Sequence, residues 1–293
     1  MRKQFVKTVE DILKTDPRLV LLLGDISVFG FRNAFKEHPD RVYNIGILEQ
    51  STVSLAAGLS LHDMIPVVHT IAPFIVERSL EQIKDDFGYQ NIGGNFIGIG
   101  GSYDYAVMGG THHCPGDVGI LKNVPNMEIV VPGTPAEFDS LFRATYADGK
   151  PTYFRLSERS NKESFPVEFG KAMIVQKGLK ATVVTVGPML ESVREACKGL
   201  DVTILYYTTV APFDRDALAT NIAGDKVIVC EPFYEGSLDW DIAKSAEMAK
   251  KSPSVHHIGV PREFIHKYGN VGDIDAYLKL TAADIRERIE KII

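Results

Sequence analysis

Three observations predict an α/β fold built from two doubly wound units. Short continuous apolar runs such as Leu19-Val20-Leu21-Leu22-Leu23 recur along the chain and read as strands buried on both faces. Stretches of helical length separate them, which implies right-handed crossovers and a mostly parallel sheet covered by helices. A polar stretch, Ser160-Asn161-Lys162-Glu163-Ser164-Phe165-Pro166, interrupts the rhythm and divides the chain into residues 1–165 and 170–293.

Residues 1–14 read as an amphipathic helix, and the strand at 19–23 ends in Gly24-Asp25. Further strands are expected at 42–45, 65–68, 96–99, 129–131 and 152–156, with helices at 48–61, 73–87 and 135–146. In the second, smaller unit, strands at 181–186, 202–206 and 226–230 alternate with helices at 189–198, 214–222 and 239–250. A final helix over 281–293 opens on Thr281 as its cap.

With 293 residues, 45% hydrophobic and 24% charged, the chain can bury two cores, which excludes a disordered protein. A formal charge of -6 spread over both signs provides no basic field for nucleic acid. Cys114, Cys197 and Cys230 are widely spaced and odd in number, which fits a reducing compartment. Met1-Arg2-Lys3-Gln4-Phe5 does not resemble a leader, and no apolar run approaches the ~20 residues of a membrane span. A cytoplasmic protein acting on small molecules, with no membrane partner, is the expectation.

Candidate chemistry concentrates in the first unit. Glu49 opens an apolar, alanine-rich helix; a bare glutamate there is ordinarily explained by the helix dipole. Phe74 follows a strand end, where most phenylalanines are core. His112 lies in Gly109-Gly110-Thr111-His112-His113-Cys114, on a glycine-rich loop after the strand at 96–99. Loops at the carboxyl ends of parallel strands form the ligand crevice, so a histidine there is placed for proton transfer. Zinc is disfavoured because consecutive residues rarely converge on one ion, and no metal ligands are expected. Arg155 and Arg159, near the last strand of this unit, could meet an anionic substrate or form surface ion pairs.

The segments Gly46-Ile47-Leu48-Glu49-Gln50 and Ser54-Leu55-Ala56-Ala57-Gly58-Leu59 carry a resemblance. With Asp25 before them, and Phe74, Thr111-His112 and Pro125-Asn126-Met127 after them, they resemble the transketolase family in order and spacing. The resemblance covers nearly the whole chain, specific in the first half and mainly a matter of pattern in the second. It implies the C-terminal section of a split transketolase: a thiamine-diphosphate pyrimidine-binding domain over 1–165 and a transketolase C-terminal-like domain over 170–293.

The implied cofactor is thiamine diphosphate. Glu49 would hydrogen-bond the pyrimidine ring, a task suited to a carboxyl in an apolar pocket, where desolvation favours the protonated form. Phe74 would stack on the ring. Ile47 and Asp25 would complete the cofactor contacts, and His112 would handle the protons of substrate oxygens.

The family's Gly-Asp-Gly signature for magnesium and diphosphate has no counterpart. Gly24-Asp25-Ile26, Gly116-Asp117-Val118 and Gly272-Asp273-Ile274 lack the third glycine and the distant asparagine. The diphosphate and its Mg2+ are therefore expected on a partner chain, in an α2β2 assembly that also self-associates through the pyrimidine domain. Met108 stands where sugar-phosphate transketolases resemble one another in an aspartate. Phe29, Gly100 or Gly101, and Glu158 fall where the resemblance places the groups that hold the substrate phosphate; either the partner supplies such groups, Arg32 and Arg159 substitute, or the substrate is not the usual pentose phosphate.

The expected function is transfer of a two-carbon ketol unit from a ketose to an aldose, jointly with the partner. The alternatives are a decarboxylating thiamine enzyme, like deoxyxylulose-phosphate synthase or the beta subunit of a 2-oxo acid dehydrogenase, and a noncatalytic regulatory partner. The donor and acceptor sugars are not legible.

Overall fold

The computed structural model describes residues 1–293 and has the expected α/β architecture. In the first half lie β1 (Leu19–Leu23), β2 (Val42–Asn44), β3 (Ile65–Ile71), β4 (Gly94–Ile99), β5 (Glu128–Val130) and β6 (Pro151–Leu156). The second half contains β7 (Met173–Gln176), β8 (Ala181–Val186), β9 (Val202–Tyr207), β10 (Thr209–Ala211), β11 (Lys226–Tyr234) and β12 (Ser254–Val260). Two sheets result, ordered β10-β5-β6-β4-β3-β1-β2 and β12-β11-β8-β9-β7. All pairings are parallel except β10 with β5 and β7 with β9, at the sheet edges.

The strands β1, β4, β6, β8 and β9 are buried along their whole length, in keeping with their mostly apolar sequences. Sequence reading missed the edges. The three-residue β10 and the short β7 are too brief to show a period, and His256 and His257 interrupt the apolar pattern of β12. The helix expected over 73–87 is three pieces: Ala72–Val76, Leu80–Gln82 and a π-helix, Ile83–Tyr89. At the first break the Ser79 hydroxyl donates to the Ile75 carbonyl at 2.6 Å, supplying a side-chain alternative to the helical ladder.

One of three apolar clusters spans both halves, beside one mainly in each half. The spanning cluster runs from Val20, Val68 and Phe96 to Val184, Leu205 and Phe233. Helix Pro135–Thr145 opens with a capping box between Thr134 and Glu137. Glu137 Oε2 also accepts from the Tyr206 hydroxyl at 2.7 Å, and Oε1 from the Phe165 amide at 3.1 Å, so one cap ties the first sheet to the connector and to β9.

His69, at the centre of β3, is wholly enclosed. Its Nδ1 lies 2.9 Å from the Ile97 carbonyl, which can only accept, so Nδ1 carries the proton. Nε2 then accepts from the Ser27 hydroxyl at 2.9 Å. Burial lowers the imidazole pKa from 6.5 to about 4. The unfolded chain therefore takes up this proton before the folded one, and stability is lost as pH falls through that interval. From pH 6.5 to 4 the loss from this residue should reach about 3 kcal/mol. Urea unfolding across this range should show a flatter pH dependence for His69→Gln than for the native chain; equal slopes would contradict the assignment.

Candidate active site

The site lies at the carboxyl ends of β1, β3 and β4. Gly46, at φ +87°, turns the chain out of β2 in a conformation that costs glycine little. Helix Glu49–Ser60 then begins, burying Glu49, Thr52, Val53, Ala56 and Ala57 as a stripe of helical period. Two alanines in that stripe allow close approach to β3. Glu49 is thereby carried inside and is only 2% exposed.

The pocket around Glu49 is not wholly apolar. Thr70 Oγ1 stands 3.5 Å from Oε1, and Arg78 Nη1 donates to Oε2 at 2.7 Å. The Arg78 guanidinium also lies over Phe74, with Cζ 4.1 Å from the ring centroid. Phe74, in helix Ala72–Val76, presents its ring to His112 edge-to-face at 5.3 Å. Glu49, Phe74 and His112, far apart in sequence, are thus linked into one cluster, Glu49 to Phe74 through Arg78 and Phe74 directly to His112.

The His112 loop is held at both ends. Ser102 and Cys114 form an isolated antiparallel bridge, with the Cys114 amide donating to the Ser102 carbonyl at 2.7 Å. Inside it the His112 amide donates to the Gly109 carbonyl at 2.9 Å, and Thr111 Oγ1 lies 2.9 Å from His112 Nδ1. His113 points inward with both ring nitrogens unpartnered, and burial lowers its pKa. No group of three or more His, Cys, Asp or Glu side chains is placed to hold a metal.

Gly109 adopts φ 73° and ψ -166°, a region essentially closed to other residues, and an added Cβ would meet the Tyr268 ring at 2.6 Å. Gly109→Ala should therefore shift Thr111 and His112, lowering turnover at least about tenfold for a strain of roughly 1–3 kcal/mol. Steady-state kinetics beside a thermal melt separates the two effects; unchanged turnover would show that the loop tolerates displacement.

The other proposed contacts have different partners or face solvent. Asp25 pairs with Asn44 through two hydrogen bonds of 3.0 and 3.1 Å at the ends of β1 and β2. Ile47 is exposed (63%) just ahead of Glu49. Arg32 donates to the Phe29 carbonyl at 2.9 Å and lies over that residue's ring.

Arg155 requires correction as a substrate contact. It is 1% exposed, its Nε donates to Asp117 at 2.8 Å, and its Nη2 donates to the Pro232 carbonyl at 3.0 Å. A strand buried on both faces carries its side chains into the interior, whatever their charge. Arg159 is less enclosed but is engaged by Asp275 at 3.0 Å and by Asp104 at 3.7 Å.

Sequence reading missed Arg78 and Arg2. Arg78 stands four residues after Phe74 but beyond the end of helix Ala72–Val76, in the break before Leu80, so no helical spacing places it. Arg2, in helix Arg2–Thr15, donates to the Tyr105 hydroxyl at 2.6 Å, and the Tyr105 ring lies 6.3 Å from that of His112. Nothing local in the sequence links residues 2, 105 and 112.

Residues 1–163 match the family described as transketolase, pyrimidine binding domain. The chain belongs to the transketolase family. An uncharacterized 33.6 kDa protein in the fasciation locus of Rhodococcoides fascians is 35% identical over 99% of this chain and 93% of its own length. An apulose-4-phosphate transketolase subunit of Phocaeicola vulgatus is 27% identical over 95% of this chain and 93% of its own.

Among solved structures, one described as a split gene transketolase, inactive beta4 tetramer, superposes with a TM-score of 0.86 at 24% identity, covering 99% of this chain and 96% of that one. The transketolase of Campylobacter jejuni superposes at 0.83 and 16% identity, and there the 99% of this chain that aligns corresponds to 46% of the other. At these identities the structures speak for the fold. This transketolase-family chain thus matches relatives of its own size nearly end to end and about half of a longer transketolase.

Proposed function

We propose that this transketolase-family chain is the pyrimidine-binding subunit of a thiamine-diphosphate enzyme that transfers a two-carbon ketol unit from a ketose to an aldose. The observation that supports the reading is the cluster in which Arg78 joins Glu49 to Phe74 and Phe74 meets His112, within a family fold. The residues present fit the ring of the cofactor: a buried carboxylate beside an aromatic face. They do not include a group of three or more His, Cys, Asp or Glu side chains for the diphosphate's metal, and a partner chain is the proposed source of the Mg2+ and diphosphate contacts, in an α2β2 assembly.

Glu49 would hold the ring nitrogen of the pyrimidine and Phe74 its face, with Ile47 and Asp25 at the rim. When bound, thiamine diphosphate supplies the carbon nucleophile that ketol transfer requires. His112 has Nδ1 engaged by Thr111, which leaves Nε2 to exchange a proton with a substrate oxygen. An anionic substrate would meet Arg32 or Arg159. The first domain is read as 1–165 and the second as 170–293, in a cytoplasmic protein.

The test is reconstitution with a chain bearing the Gly-Asp-Gly and distant asparagine. Ketol transfer between sugars without release of carbon dioxide from pyruvate is the expected result; release of carbon dioxide would move the protein to the decarboxylating branch. Tight calorimetric binding of thiamine diphosphate by this chain alone would remove the need for a partner.

A further inference from the structure

Arg78 touches both of the groups assigned to the pyrimidine ring. Its Nη1 donates to Glu49 Oε2 at 2.7 Å, and its guanidinium plane covers Phe74 at 4.1 Å. The other oxygen of Glu49 has only the Thr70 hydroxyl, at 3.5 Å. A guanidinium is planar, carries N–H donors along its edge and stacks on aromatic faces. An aminopyrimidine is planar, stacks in the same way and presents a polar edge to a carboxyl group. The two compete for one carboxylate and one ring face.

The asymmetry of burial decides which partner can leave. The Glu49 side chain is 2% exposed and fixed in the first turn of its helix, whereas that of Arg78 is 37% exposed and borders solvent. A buried carboxylate left without a partner is costly, so the protein gains from an occupant of the site before the cofactor arrives. We propose that Arg78 is a place-holder for the pyrimidine ring: it neutralises Glu49 and covers Phe74 in the cofactor-free chain and swings out when the ring enters. This rests on reading Glu49 and Phe74 as pyrimidine contacts. Arg78 is on this account a positioning residue, and it lowers apparent cofactor affinity by the fraction of molecules in which it occupies the site.

The test titrates the full chain with 4-amino-5-hydroxymethyl-2-methylpyrimidine, the ring alone, followed by NMR at low and high salt. Arg78→Met should bind the ring about fivefold more tightly than the native chain, which is what a half-exposed ion pair and a cation–π contact contribute together. Salt, which screens the ion pair, should tighten binding by the native chain and leave that of Arg78→Met unchanged. Arg78→Lys keeps the charge but not the plane and should fall between the two, so the place-holder stays testable if the methionine variant does not fold. Binding by either variant that is no tighter than native, including no binding by any of them, overturns the place-holder. Adding Glu49→Gln to Arg78→Met separates the two layers: weaker ring binding upholds the reading of Glu49, and unchanged binding overturns that reading.

Discussion

Glu49→Gln in the complex reconstituted with its partner chain is expected to lower kcat by about 10²–10⁴-fold, the range in which positioned proton-transfer groups act. The substitution keeps volume, helix position and the capacity to hydrogen-bond Thr70, and removes only the acid. The fold should therefore survive, because the helix stripe of Thr52, Val53, Ala56 and Ala57 is untouched. A far-ultraviolet spectrum and melting curve matching the native chain, beside a collapsed kcat, is the expected pair of results. Turnover within about threefold of native would instead support the noncatalytic partner that fold resemblance alone leaves open.

The largest effect on stability is expected from Asp117→Ala. Asp117 Oδ2 accepts from Arg155 Nε at 2.8 Å and from the Tyr153 hydroxyl at 3.0 Å, and neither ion is exposed to more than 1%. Removing the carboxylate strands a guanidinium in the interior, a loss of about 3–5 kcal/mol for a broken buried pair. The melting temperature should fall by roughly 10 °C. Removing both charges, in Asp117→Ala with Arg155→Met, should recover part of that loss, because an uncompensated charge costs more than a missing pair. If the double variant is less stable than the single, the arginine's bond to the Pro232 carbonyl matters more than its charge. Asp117 opens the helix that follows the His112 loop, so the single variant should also lose turnover beyond its loss of folded protein.

What the sequence made legible follows from where information is local. Strands buried on both faces announce themselves, as 19–23 and 181–186 do, because every position is apolar or nearly so. Edge strands β7 and β10 do not, since their existence depends on a neighbour supplied from elsewhere in the chain. The segments around Glu49, Phe74 and His112 were legible as a pattern. The ion pair of Glu49 with Arg78 was not, because Arg78 lies in the break between two helical pieces, where no periodic spacing directs its side chain. Arg155 shows the converse error. Its charge suggested a substrate, but its place in the fully buried β6 meant that the carboxylate of Asp117 had to be its partner.

The antiparallel strand β10 has a consequence for exchange of parts among relatives. Three residues from the second half, Thr209–Ala211, complete the edge of the first half's sheet, with Thr209 opposite Val130 and Ala211 opposite Ile129. A hybrid joined at the polar connector would import a foreign edge strand onto β5 together with the new C-terminal half. The two halves therefore cannot be recombined as independent cassettes; any graft must match the β5–β10 register or bring both strands from the same parent.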